Sequence, residues 1–224
     1  MAMTTGVLIP LYTYPTDSTW ATVKQTKRAY PAVPILAVVN PDDGVGRSQN
    51  GDYAQGIPAL REAGVVVLGY VDTSYAQREI SQVEAEMDLF QSWYHVDGVF
   101  FDQAASQPGQ EDYYSTLTRH ALSHGMSLTV ANPGTRAPSY VGTAKLLVTY
   151  EHAGLPAFSS LSGLPGGRKN YAAIAYGVQA IDASWLAEAE RYLGYIYITD
   201  KGMPNPYDAL PSYFGTLVAK LSQG

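Results

Sequence analysis

Residues 76–102, AQREISQVEAEMDLFQSWYHVDGVFFD, decide the fold. Ile80, Val83, Met87 and Phe90 recur at helical spacing with Glu84, Glu86 and Asp88 between them, the pattern of a helix with one buried face. A few residues later the pattern changes to Gly98-Val99-Phe100-Phe101, a short continuous apolar run that stops on Asp102. Near-continuous apolar strands belong to parallel sheets covered on both faces. Parallel neighbours also need a long crossover between them, usually a helix.

The same unit recurs outward in both directions. Apolar, β-branched-rich runs lie at 6–11, 35–39, 65–70, 98–101, 128–131, 146–150, 171–176 and 194–199. Helical patterns occupy 20–30, 53–63, 76–94, 113–124, 183–193 and 213–222, with Asp112 and Asp182 placed as N-caps. Eight strands alternating with helices is the count of a (β/α)8 TIM-type barrel, and 224 residues is near the short end of that fold. A doubly wound open sheet is the alternative. Its Gly-rich phosphate turn would follow the first strand, where this chain reads Pro10-Leu11-Tyr12-Thr13-Tyr14. Residues 1–5 read as a short tail, leaving 6–224 as one compact barrel domain without a composition break.

Fourteen Lys and Arg against twenty Asp and Glu leave a formal charge of -6 with no basic cluster. Nucleic acid and anionic membrane are therefore not expected partners, since both require clustered cations. Cysteine is absent, which removes disulfides, thiolate zinc ligands and a thiol nucleophile. No apolar run approaches a bilayer span. No basic segment precedes the first strand, and a secreted or cell-surface location with any leader already removed is the expectation. Eighteen Tyr against five Phe favour a polar ligand with apolar faces, such as a sugar, because a tyrosine pairs an apolar ring with a polar tip.

In such barrels chemistry sits at the C-terminal ends of the strands. Those positions read Tyr12, Asn40, Tyr70, Asp102, Asn132, Glu151, Tyr176 and Tyr197 or Thr199. Strand alternation puts Phe100 with Asp102 and Thr149 with Glu151 on shared faces, and inward-pointing faces would bring both carboxylates into the mouth. Two acids among amides and tyrosines suit glycoside hydrolysis, which needs a proton donor and a base or nucleophile flanking one glycosidic bond. The spacing of the fourth and sixth strands permits either the retaining or the inverting separation. His152, next to Glu151, is placed to touch substrate or tune the acid. No cofactor or metal is required by such a pair.

Other motifs carry less. His120 and His124 have a metal-compatible spacing, but they close a helix away from the mouth and read as solvent-facing. Asp42-Asp43-Gly44 reads as a turn rather than a calcium loop, lacking the spaced acids of an EF-hand. Residues 163–169 (Gly-Leu-Pro-Gly-Gly-Arg-Lys) read as a mobile substrate loop. No Gly-x-Ser-x-Gly elbow marks a serine nucleophile.

Taken together, these residues resemble the spherulin-4-like proteins of glycoside hydrolase family 135 over most of the chain. The resemblance rests on Ile9-Pro10-Leu11-Tyr12 with Tyr14-Pro15, and on Asn40-Pro41 with Gly44, Gly46, Asn50, Tyr53, Gly56 and Ile57. It continues through Gly69-Tyr70-Val71 with Thr73, Tyr75 and Arg78, Trp93-Tyr94 and Asp97–Asp102, to Asn132-Pro133-Gly134-Thr135 and Tyr150-Glu151. It implies a (β/α)8 barrel and endo-hydrolysis of α-1,4-linked N-acetylgalactosamine in galactosaminogalactan. The family's acids are an Asp-Glu pair ending the fourth strand and a Glu ending the sixth. Asp102 and Glu151 match, whereas Gln103 stands where the family usually has Glu, and an amide cannot exchange a proton at a useful pKa.

The reading is an endo-acting glycosidase in which Asp102 and Glu151 share the acid and nucleophile or base roles. Gln103 would hydrogen-bond the sugar or the neighbouring carboxylate. Asn40 and Asn132 would bind hydroxyl or N-acetyl groups, Tyr12, Tyr70 and Tyr176 would stack on sugar faces, and Tyr197 and His152 would complete the substrate contacts. The rival is a non-catalytic or impaired carbohydrate-binding barrel, motivated by Gln103, which predicts binding without turnover. A barrel enzyme for a phosphorylated substrate would need donors after strands seven and eight, where few are present.

Overall fold

The computed structural model describes residues 4–223. Eight parallel strands close into a barrel in sequence order: β1 (Gly6–Leu11), β2 (Ile35–Val39), β3 (Val66–Asp72), β4 (Gly98–Asp102), β5 (Leu128–Ala131), β6 (Leu146–Ala153), β7 (Tyr171–Tyr176) and β8 (Tyr195–Ile198). Gly6 and Val7 pair with Tyr195 and Ile196 to seal β1 to β8, so no sheet edge is left to template another chain.

Among the described residues seven α-helices accompany the strands: α1 (Ser18–Ala29), α2 (Gly51–Glu62), α3 (Ile80–Tyr94), α4 (Glu111–Ser123), α5 (Phe158–Leu161), α6 (Ala183–Ala189) and α7 (Phe214–Leu221). The β5–β6 crossover contains only the 3-10 turn Pro138–Tyr140, and the β6–β7 crossover has the one-turn α5. These short returns let eight strands fit into so short a chain. On α3 the expected stripe is buried: Val83, Met87 and Phe90 are inaccessible to solvent, each contributing roughly 1.5–3 kcal/mol. At Gly98 an added Cβ would lie 1.9 Å from the Leu128 carbonyl oxygen, so β4 approaches β5 more closely than any side chain allows.

Most helix boundaries and several strand boundaries shift by one or more residues from the sequence reading, and α6 ends at Ala189 rather than 193. Helix α3 starts at Ile80 rather than 76 because Ser74, Tyr75 and Ala76 have φ of 44°, 58° and 67°, a left-handed turn that no right-handed helix can include. Helix α4 starts at Glu111, which places Asp112 inside the first turn instead of at the N-cap; there its charge faces the positive end of the helix dipole. Strand β6 runs to Ala153, with a register shift between Val148 and Tyr150. Asp182 caps α6 as expected, accepting from the Ser184 and Trp185 N–H groups, each at 2.9 Å. Of the tail expected at 1–5, residues 1–3 lie outside the described residues. Thr5 is fully buried, its hydroxyl 3.3 Å from the Leu193 carbonyl and 2.9 Å from Arg168 Nη2. Among the described residues no helix is long and apolar enough to cross a membrane.

Candidate active site

Asp102 and Glu151 stand at the C-terminal ends of β4 and β6, and Asn132 follows β5 between them. The Asn132 Nδ2 group donates to Asp102 Oδ1 at 2.7 Å and to Glu151 Oε2 at 2.5 Å. One nitrogen shared in this way holds those two oxygens within roughly 5 Å of each other. The amide is itself oriented, because its Oδ1 accepts the Gly134 N–H at 3.0 Å and so directs both amide hydrogens at the acids. Gly134 has φ of 63°, a conformation cheap only for glycine, and its carbonyl accepts the Glu151 N–H at 3.0 Å.

Each acid has further donors. Tyr70 Oη donates to Asp102 Oδ2 at 2.9 Å, and the Gln103 backbone N–H also serves that carboxylate. Tyr207 Oη donates to Glu151 Oε1. Burial raises both carboxyl groups above their ordinary pKa, and these hydrogen bonds pull the other way. The Tyr12 ring meets Tyr70 and Tyr207 edge-on, each at 5.7 Å. Burial, and after it the nearby charges of Asp102 and Glu151, raise its phenol well above the usual value. A cavity of about 440 Å3 opens over the pair, walled by Gln103, Pro133, Gly134, Thr135, His152 and Tyr75.

Thr73 positions the end of β4. It is fully buried, and its Oγ1 lies 2.9 Å from the Asp102 carbonyl and 3.0 Å from both the Gln103 carbonyl and Tyr114 Oη. Gln103 itself adopts φ of 46°, and the Tyr75 N–H reaches its carbonyl at 2.7 Å. Two left-handed segments, 74–76 and residue 103, are thus locked together beside the acids. Such backbone strain persists only where the surroundings over-determine it.

The structure brings Tyr12, Tyr70, Asp102, Gln103, Asn132, Glu151 and His152 together. Tyr176, half-buried at the end of β7, lies close enough to Tyr207 to influence its ionisation. Three expected roles change. Asn40 is committed to its own loop: its Oδ1 takes the Gly44 N–H at 2.7 Å, and it is absent from the wall of the carboxylate cavity. Tyr197 is 1% exposed and packs 6.4 Å from the Tyr207 ring, so it supports that residue and offers no face to a sugar. Tyr70 is also buried and acts through its hydroxyl on Asp102. Residues 163–169, expected near substrate, instead lead into the start of β7. There Arg168 reaches Thr5 at the opposite end of the barrel, as a segment returning from a helix to the next strand must.

Sequence reasoning left Tyr207 without a role and gave Thr73 and Tyr75 none beyond the family pattern. Tyr75 is 59% exposed on the cavity wall, and an exposed ring in a left-handed turn is the sort of cost a folded chain retains for a ligand. A second, more polar depression of about 570 Å3 lies over the β1 and β2 loops, lined by Tyr14, Arg47, Asn50 and Asp52 among others. It contains neither of the paired acids.

Comparison with known proteins agrees with this architecture. Residues 6–221 match the model of the spherulation-specific family 4. Spherulin-4 of Physarum polycephalum is 28% identical over 225 residues, covering 92% of this chain and 67% of the relative. The crystal structure of Aspergillus clavatus Sph3 in complex with GalNAc superposes with a TM-score of 0.89 at 25% identity, over 99% of this chain and 98% of that one. A chitinase from Rhizomucor miehei shares the fold alone, with a TM-score of 0.54 at 8% identity over 98% and 99% of the two chains. A barrel closed in this order, and a family model matched from the first strand to the last helix, make this chain a member of the spherulation-specific family 4.

Proposed function

We propose that the chain is a glycoside hydrolase that cleaves within an amino-sugar polysaccharide, with α-1,4-linked N-acetylgalactosamine as the substrate unit. The observation that carries this reading is the Asn132 amide bridging Asp102 and Glu151 beneath an accessible cavity. The GalNAc held by Sph3 supports the choice of sugar. With one oxygen of each carboxyl group held within roughly 5 Å of the other, the pair suits the retaining route, whereas inversion needs roughly 6.5–9.5 Å to admit a water.

Burial raises both carboxyl groups, but Asp102 receives three donors (Asn132, Tyr70 and the Gln103 N–H) against two for Glu151 (Tyr207 and Asn132), and on that difference Asp102 is assigned as the nucleophile at the anomeric carbon. Glu151, raised by burial, protonates the departing glycosidic oxygen. It then takes a proton from the water that cleaves the glycosyl-enzyme ester, returning both groups to their starting states. His152 and Tyr75, both on the cavity wall, face the sugar, while Tyr12 packs edge-on between Tyr70 and Tyr207 beside the acids. The test is proton NMR of the first product released from a GalNAc oligomer. The α-anomer should appear before mutarotation; the β-anomer would exclude the retaining assignment, and no product at all would favour the binding-only rival.

A further inference from the structure

We propose that Asp88, His120 and His124 form a site for a borderline divalent ion, Zn2+ by donor type, which ties α3 to α4 on the outside of the barrel. The three offer ligand atoms that all lie within 4.8 Å of one another. His120 Nε2 is 2.8 Å from Asp88 Oδ1, and His124 Nε2 is 4.0 Å from the same oxygen. Tetrahedral zinc with bonds near 2.0–2.1 Å spaces its donors about 3.3 Å apart, and the two distances straddle that value. The imidazoles stack with centroids 4.1 Å apart and planes at 19°, so both present the same edge to the carboxylate.

The far side of each ring is what a ligand pair requires. His124 Nδ1 faces the His120 carbonyl at 2.9 Å and Ser123 Oγ at 3.1 Å. That hydroxyl donates its own hydrogen to the His120 carbonyl at 2.8 Å, so Nδ1 meets two acceptors and must carry the hydrogen. The Nε2 edge of His124 is then the one left to face the Asp88 carboxylate, where a cation could bridge the two. His120 Nδ1 has a carboxylate of its own, Glu84 Oε1 at 3.4 Å. A ligating histidine whose second nitrogen is held by a carboxylate or a carbonyl is the usual outer arrangement of protein zinc sites. Two imidazoles and one carboxylate suit zinc over magnesium or calcium, which prefer all-oxygen sets. A water would fill the fourth position. Asp88 and His124 are exposed, the site is remote from the mouth, and its role is structural. The solvent-facing reading of the two histidines holds for His124 but not for His120, whose side chain is only 16% exposed.

The experiment is calorimetric titration of the untagged chain with ZnCl2 at neutral pH, paired with thermal melting with and without the metal. One saturable site and a higher Tm with zinc are expected. His124→Ala and Asp88→Ala should abolish both effects, and Glu84→Gln should weaken binding about tenfold, the scale of losing an outer-sphere partner. The exposed positions of Asp88 and His124 permit substitution without threatening the fold. Absence of saturable binding would overturn the proposal, as would zinc affinity and Tm gain preserved in both His124→Ala and Asp88→Ala. Neither readout uses hydrolysis, so the outcome is independent of the glycosidase reading.

Discussion

Tyr207 gives Glu151 a hydrogen bond that favours the ionised carboxylate, so removing that hydroxyl has a definite sign. In Tyr207→Phe the Glu151 pKa rises further, and the alkaline limb of the pH–rate profile moves to higher pH. Losing a hydrogen bond to a charged group, about 1.5–3 kcal/mol, should lower kcat roughly 10- to 100-fold. A profile that does not move would detach Tyr207 from the proton donor. Stability gives a second prediction for the same acid. Burial raises the folded-state pKa of Glu151, so keeping it ionised costs folding energy above the unfolded pKa of about 4.3 and nothing well below it. Glu151→Gln should therefore melt at a higher temperature than the parent near neutral pH, with the two Tm values converging as pH falls through that range. Equal Tm values at every pH would mean the carboxylate is not desolvated.

At the scale of elements, what could be read in advance was whatever repeats along the backbone. Apolar runs announced the strands and the α3 stripe announced its buried face, because parallel strands and amphipathic helices write their periods locally. The bulge in β6 and the left-handed turn at 74–76 left no such period, so the extension that carries Glu151 past Tyr150 and the late start of α3 went unread. Asp102, Asn132 and Glu151 were legible because each closes or follows an apolar run of the sequence. Tyr207 was not, since it comes from the irregular loop after β8 and meets Glu151 across 56 positions of sequence. Tyr197 misled for the reverse reason: at a strand end, polarity alone does not distinguish a rim residue from a buried support. The closest approach between strands makes its own prediction. Gly98→Ala drives a methyl group into the Leu128 carbonyl. It should destabilise the chain by at least about 1–3 kcal/mol, the cost of overpacking, seen as a lower midpoint in chemical denaturation; an unchanged midpoint would contradict the approach of β4 to β5.

Across the whole molecule, closure of β8 onto β1 sets the ring on which three adjacent strand ends converge. Under the proposed mechanism residue 103 need not be an acid: Gln103 is exposed on the cavity wall, while Asp102 and Glu151 share one amide. Converting Gln103→Glu should accordingly change kcat/KM by less than about tenfold, a shift under 1.4 kcal/mol. Recovery of hydrolysis from a silent parent would show instead that the natural pair is incomplete. The most direct test of the central claim is the release of reducing ends from an α-1,4-linked N-acetylgalactosamine polymer by the parent, Asp102→Asn and Glu151→Gln, with oligomer binding measured alongside. The parent should hydrolyse the polymer, and each variant should bind it while losing activity by about 100- to 10,000-fold. Hydrolysis undiminished in either variant, or a parent that binds without cleaving, would contradict it.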